Sequence, residues 1–286
     1  MKKIKIVGLF GFGTIGRIIC KTLLSKNYSV IVFEPEKKEL NEKMKLFENE
    51  INKAIERWSL TPSEKKAMFA NLRLSSDFQE AKEVDLVIEA IPENLNQKAN
   101  LFETLDKICN EDVIFITNTC TISITELAAK TKRQDKVIGC LFVFPVQELT
   151  LVEIVRGLLT SDDTYQKINK FIKSLSKETI EVVEYPGYVS TRIILTYINE
   201  AFNMVMEGIA SAQDIDNAIK IGYNFPIGPI TLANKMGLDE ILLMLQHLFT
   251  ELGDVKYKPC PLILKLVRAG YLGDKVGKGV FDYYKK

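Results

Sequence analysis

The segment Ile4-Lys5-Ile6-Val7-Gly8-Leu9-Phe10-Gly11-Phe12-Gly13-Thr14-Ile15-Gly16 decides the fold. Ile4 to Phe10 is a short apolar run without alternation, the pattern of a strand buried on both faces of a parallel sheet. It runs into a Gly-x-Gly-x-x-Gly loop. Beyond the loop, Ile15, Ile18, Ile19, Thr22 and Leu23 recur at helical spacing, with Arg17, Lys21 and Lys26 on the other face. Val30 to Phe33 reads as a second strand, and Glu34-Pro35 ends it.

Strand, glycine loop, helix and strand with a terminal acid give the loop its chemistry. Gly11 allows the tight turn, Gly13 lets the backbone approach a pyrophosphate, and Gly16 lets helix and strand pack closely. Phe12, Thr14 and Ile15 supply the backbone between them. The helix N-terminus offers N–H groups and a positive dipole end to the phosphates. Glu34 stands about 20 residues beyond the first glycine, where an acid bonds the adenosine ribose hydroxyls. Its carboxylate repels an added ribose phosphate, so the expected cofactor is NAD rather than NADP. The bland alternative is a glycine-rich turn without a ligand. The strand before the motif, the helix after it and the acid beyond weigh against that.

Working outward, residues 37–75 are charged and helix-forming, and read as a helical hairpin projecting from the sheet. Thr61-Pro62-Ser63-Glu64 is a helix start, with proline at the first position and a capping box. The strand–helix alternation then resumes. Strands fall at Leu86 to Ile88, Val113 to Thr117, Val137 to Phe142, Val152 to Val155 and Thr179 to Val183. Helices fall at Leu95 to Ile108 and 162–175, and Ser123 to Glu126 is a second capping box. After Pro186-Gly187 only helical segments follow, at 189–209, 211–221, 229–248 and 261–269. The predicted architecture is α/β, a Rossmann-type doubly wound sheet followed by an all-helical C-terminal domain. The boundary separates residues 1–185 from 186–286.

The composition agrees. A chain of 286 residues with 47% hydrophobic and 26% charged residues suits two soluble globular domains. A net charge of +1 carries no nucleic-acid footprint. No apolar run is long enough to span a bilayer, and no signal region opens the chain. Cys20, Cys109, Cys120, Cys140 and Cys260 form no CxxC pair, which argues against a metal site or disulfide framework and for reduced thiols in the cytoplasm. The charged stretch 36–50 reads as a solvated helix face.

Further motifs extend along the chain: Val87 to Asn94, Thr117-Asn118-Thr119, Leu151 to Val155, Pro226 to Pro229, Gly237-Leu238-Asp239 and Gly273 to Gly279. With the glycine loop, they make the chain resemble the 3-hydroxyacyl-CoA dehydrogenase family, including 3-hydroxybutyryl-CoA dehydrogenases, over nearly its full length. The resemblance implies an NAD-binding domain, a helical second domain, a homodimer, and an acyl thioester of CoA or an acyl carrier protein as partner. It places Glu93 and Lys98 near the nicotinamide ribose, Asn118 in the cofactor cleft, and Lys275 as a contact from the second domain. Read without it, Glu93 and Lys98 are an ordinary helix start and Lys275 a loop charge. A lysine of the helical hairpin meets the CoA phosphates in similar enzymes, and Lys53 or Arg57 stands for it here, near Trp58. A solvated face is the alternative, since Glu50 and Glu56 are interleaved.

The resemblance breaks at the chemistry. Similar enzymes use a histidine to take the hydroxyl proton, oriented by a glutamate. The histidine position is Leu141 here, while the glutamate is kept as Glu153. A serine that bonds the substrate oxygen corresponds to Cys120, and two asparagines correspond to Phe144 and Thr191. A positioned general base is worth roughly 10²–10⁴-fold in rate, so the usual activity is expected to be weak or absent. Leucine beside Glu153 desolvates the carboxylate, and two readings of it stay open: acid or base in its own right, or a carboxylate held by backbone donors without a role. Cys120 reads as a serine-sized thiol rather than a nucleophile, with no activating base near it in sequence. The single histidine, His247, lies in a C-terminal helix away from these positions. Three functional readings remain: an NAD-dependent oxidoreductase of 3-hydroxyacyl thioesters with an altered catalytic set, a non-catalytic NAD-binding relative, and another oxidoreduction whose substrate brings its own base.

Overall fold

The computed structural model describes residues 4–143 and 150–284. Of these, the residues up to Glu184 form one compact unit and those from Tyr185 onward another. The Phe144 reading lies outside the described residues.

The first unit begins with β1 (Ile6–Phe10), followed by α1 (Thr14–Ser25) and β2 (Ser29–Phe33). Helices α2 (Lys37–Glu56) and α3 (Pro62–Ala70) come next. The capping box at Thr61 is formed in both directions with Glu64. The expected hairpin then ends differently, because Leu72–Ser75 is a strand, β3, paired with β2. Its length of four residues and its half-exposed edge position hide it among charged neighbours.

The alternation continues with β4 (Leu86–Glu89), α4 (Leu95–Ile108), β5 (Ile114–Thr117) and α5 (Ile124–Ala128). It closes with β6 (Val137–Phe142), β7 (Leu151–Arg156), α6 (Asp162–Ser174) and β8 (Glu178–Val183). The sheet runs β3-β2-β1-β4-β5-β6-β7-β8. All neighbouring pairs are parallel except β6 with β7. Strands β4, β5 and β6 are buried along their whole length, which explains their apolar sequence up to Glu89 at the end of β4 and Thr117 at the end of β5. Helix α1 turns Gly16, Ile19, Cys20, Leu23 and Leu24 inward.

The strand order reverses at β1, whose neighbours are β2 and β4. Ligands of such sheets bind beyond the carboxyl ends of the strands at this reversal. The register aligns those ends: Phe10 pairs with Phe33 and Glu89, and Glu89 pairs with Thr117. The residues that follow, Gly11, Glu34, Ala90 and Asn118, therefore emerge side by side.

The second unit is helical: α7 (Ser190–Met206), α8 (Ala212–Gly222), α9 (Pro229–Met236), α10 (Leu238–Leu252), α11 (Pro261–Arg268) and α12 (Val280–Tyr283). The single helix expected over 229–248 is two. Gly237 at φ 99° breaks it, a conformation open to glycine and costly for other residues. Buried Asp216 receives the start of α9, accepting from the backbone of Ile230 and Thr231 at 2.7 and 2.9 Å.

Candidate functional site

The three loop glycines serve different ends. Gly11 has φ +96°, and a Cβ there would lie 2.5 Å from the Ala90 carbonyl. A Cβ on Gly16 would lie 2.1 Å from the Gly11 carbonyl. Both are required by the protein's own packing. Gly13 has nothing within 4 Å of the corresponding point. Its missing side chain clears room that no protein atom fills, as a bound pyrophosphate needs. Gly13 also starts α1 with no side-chain cap. The first N–H groups of a helix have no acceptor within it, so this end is suited to phosphate oxygens.

Glu34 is buried at the end of β2. Its Oε1 accepts from the Phe12 backbone N–H at 2.6 Å and from Lys43 Nζ at 2.7 Å. Lys43 also reaches Glu39 at 3.1 Å. Burial works to lower the Lys43 pKa, but hydrogen bonds and charge from Glu34 and Glu39 outweigh it and hold the ammonium above the ordinary lysine range. Residue 43 lies in the stretch expected to be a solvated face. The face is charged as expected, but this lysine is turned onto the site acid.

A second cluster forms beyond β4 and β5. Lys98, on α4, is fully buried and donates to Glu89 Oε1 at 2.6 Å and the Ile91 carbonyl at 3.0 Å. Glu89 also accepts from the Thr117 hydroxyl at 2.6 Å and the Ile91 N–H at 2.7 Å. Glu93 Oε2 lies 3.6 Å from Lys98. Its Oε1 accepts from the Thr119 hydroxyl, the Cys120 N–H and the N–H and hydroxyl of Thr121, all within 3.0 Å. Desolvation pushes the Glu93 carboxyl up. The Lys98 charge and these donors prevail and hold it below the ordinary carboxylate range. For Lys98, desolvation pushes down, and Glu89 and Glu93 prevail to hold it high.

Cys120 is partly exposed, and its thiol donates to Glu93 at 3.6 Å. Asn118 Oδ1 accepts from the Phe142 N–H at 3.0 Å, tying the end of β5 to β6. One residue earlier on β6, Leu141 pairs with Glu153 on β7. Both side chains are buried.

The structure thus gathers Gly11 to Gly16, Glu34, Glu93, Lys98, Asn118, Cys120 and Glu153 at one end of one sheet. Lys53 and Arg57 lie exposed near the end of α2, beside Trp58, which is 96% exposed. Thr191 and Lys275 belong to the second unit. Thr191 lies in the first turn of α7, and Lys275 holds Asp239 at 2.6 Å. His247 is half-buried on α10. Lys43 and Thr121 escaped the sequence reading, and Glu89 and Thr119 stood in its motifs without a role. An acid ending a wholly apolar strand, followed by a lysine one turn into the next helix, was the signal available for Glu89. Among the described residues no cluster suits a metal ion, and no helix is long and apolar enough to cross a membrane.

A mostly parallel sheet with a glycine loop at its switch point, an acid closing β2 and a following helical unit define a Rossmann-type dinucleotide-binding protein. The chain belongs to the 3-hydroxyacyl-CoA dehydrogenase family: residues 6–185 match its NAD binding domain and residues 187–283 its C-terminal domain. Its cofactor is NAD. The 3-hydroxybutyryl-CoA dehydrogenase of Clostridioides difficile is 38% identical, over 98% of this chain and 99% of that one. Among solved structures, (S)-3-hydroxybutyryl-CoA dehydrogenase PaaH1 from Ralstonia eutropha is 39% identical with a TM-score of 0.87, covering 97% of this chain and 98% of that one. FadB2 of M. tuberculosis has a TM-score of 0.93 at 31% identity, with the same coverage.

Proposed function

We propose that the chain is an NAD-dependent oxidoreductase of 3-hydroxyacyl thioesters whose catalytic set is altered at Leu141. The observation that carries this reading is the register of Leu141 with Glu153. Residues directly opposite in an antiparallel pair point to the same face, with Cβ atoms about 5 Å apart. Position 141 is therefore where a side chain can be oriented by Glu153, and leucine fills it.

In this reading Gly11 to Gly16 and the start of α1 hold the pyrophosphate, and Glu34 takes the adenosine ribose. Glu93, seated on Lys98, braces the Asn118–Thr121 turn beside the nicotinamide. Held there, NAD would supply the hydride acceptor for oxidation of the hydroxyl-bearing carbon to a ketone. The hydroxyl proton must then pass to a protein group or to water. Cys120, whose thiol donates to Glu93, must turn from that carboxylate to reach the substrate oxygen, and is then a weaker donor than a hydroxyl. Leu141 takes no proton, which leaves Glu153 or solvent as the acceptor and slows the step.

Lys53 and Arg57 are the proposed cations for the phosphates of a CoA or carrier thioester. The roles of Thr191 and Lys275 rest on family resemblance. We place the domain boundary at 185/186 and the protein in the cytoplasm. A homodimer is supported by exposed apolar side chains on the second unit, among them Ile193, Ile221 and Tyr223.

The test is NADH oxidation with acetoacetyl-CoA and longer 3-oxoacyl thioesters, alongside direct NADH titration. Slow but measurable turnover is expected. Firm NADH binding with no turnover for any thioester would overturn the reading. It would instead favour a cofactor-binding relative with a regulatory or scaffolding role, which the apolar, buried Leu141 also fits.

A further inference from the structure

We propose that Lys43 sets the discrimination between NAD and its 2′-phosphorylated form, and that it is a latent partner for a phosphate on the adenosine ribose. The proposal rests on the assignment of Glu34 to that ribose.

An acid at the end of β2 excludes a ribose phosphate by charge when it stands alone. Glu34 does not stand alone. Its Oε1 takes both the Phe12 N–H and the Lys43 ammonium, at 2.6 and 2.7 Å. Two donors on one oxygen fix the carboxylate and leave Oε2 for the ribose hydroxyls. They also set a cation within hydrogen-bond distance of the carboxylate, the group that a 2′-phosphate would replace beside the ribose.

The other tie on Lys43 is weak. Glu39 is a largely exposed i,i+4 partner on the same helix, where solvent screens the pair. The neighbouring cation, Arg17, is committed to Glu50 through three contacts of 2.9–3.2 Å. Lys43 is therefore the cation at hand. With Glu34 present it orients the acid. With Glu34 neutralised it meets the phosphate, in a charge-assisted bond roughly twice as strong as a neutral one.

The test is equilibrium titration with NADH and NADPH, read by nicotinamide fluorescence, on the full chain and on Glu34→Ser, Lys43→Met and the double variant. Glu34→Gln is a second neutral form in case serine disturbs the turn. The unmodified protein is expected to prefer NADH. Glu34→Ser should gain NADPH affinity by about tenfold or more, and Lys43→Met in that background should remove the gain while leaving NADH binding unchanged. Lys43→Met alone should weaken NADH binding and weaken NADPH binding further. Equal NADPH affinity in Glu34→Ser and the double variant would overturn the role of Lys43. If the unmodified protein binds neither dinucleotide, the ribose assignment falls first and the proposal with it.

Discussion

Leu141 on β6 lies directly across from Glu153 on β7, in the one antiparallel pairing of the sheet's described strands. One residue beyond Leu141, the Phe142 N–H is held by Asn118. A buried carboxylate thus faces a buried isobutyl group at the end of the sheet where the glycine loop also emerges.

Restoring a base tests the meaning of that pair. Leu141→His should raise acetoacetyl-CoA reduction by roughly 10²–10⁴-fold, the usual worth of a positioned general base. Adding Glu153→Gln should remove most of the gain, because the ring loses its orienting partner. The measurement is NADH absorbance against time at saturating thioester. A folded Leu141→His protein no faster than its parent would mean that residue 141 is not the position of the base.

The loop glycines separate packing from ligand contact. Gly16→Ala puts a Cβ against the Gly11 carbonyl, so it should lower the melting temperature and abolish NADH binding together. Gly13→Ala meets no protein atom, so it should leave the melting temperature unchanged while weakening NADH binding by about tenfold, or 1.4 kcal/mol. Thermal melts and fluorescence titration of the two variants check this. Equal destabilisation of both would remove the distinction.

Much of this site was legible because one register line carries it. Phe33, Phe10, Glu89 and Thr117 align across four parallel strands, so the residue after each strand end falls into place once the strands are read from their apolar runs. What stayed hidden was pairing across sequence. Lys43 sits on a helix of alternating charge, and nothing in its spacing shows that it turns onto an acid at the end of β2. The Glu89–Lys98 pair joins a strand end to the next helix, and Lys98 alone reads as a surface charge. Strand β3 was hidden by its four-residue length, and the break at Gly237 by apolar periodicity that runs through it.

The Glu89–Lys98 pair makes a prediction about stability. Both side chains are fully buried, and removing one partner leaves an uncompensated charge inside the unit. Lys98→Met should cost about 3–5 kcal/mol in urea denaturation. A second change, Glu89→Leu, should recover only part of that loss, because it removes one unpaired charge but leaves Glu93 without its cation and the Thr117 hydroxyl and Ile91 N–H without their acceptor. A cost below about 1 kcal/mol for Lys98→Met is the typical worth of an exposed pair and would show that the ammonium is solvated.

Glu93 links the same cluster to pH. Its carboxyl is held below the ordinary value of 4.5, because Lys98 and the donors of the Thr119–Thr121 turn outweigh its desolvation. A depressed carboxyl binds its proton more weakly folded than unfolded, so the unfolded chain takes up the proton first as pH falls. The stability it contributes is therefore complete above about pH 4.5 and is lost as pH drops through the lower folded value. Lys98 has the opposite sign: its raised pKa gives stability that is complete below 10.5 and lost above it. Glu93→Gln removes the first contribution and part of the second, because Glu93 is one of the two charges that hold Lys98 high. Its stability difference from the parent should stay constant between pH 5 and 8, shrink below about pH 4.5, and shrink again as pH rises above 10.5 and Lys98 loses its charge. Urea midpoints across that range read it directly. A difference that instead grew on acidification would mean that Glu93 is held protonated, and that the turn bearing Cys120 rests on a neutral acid.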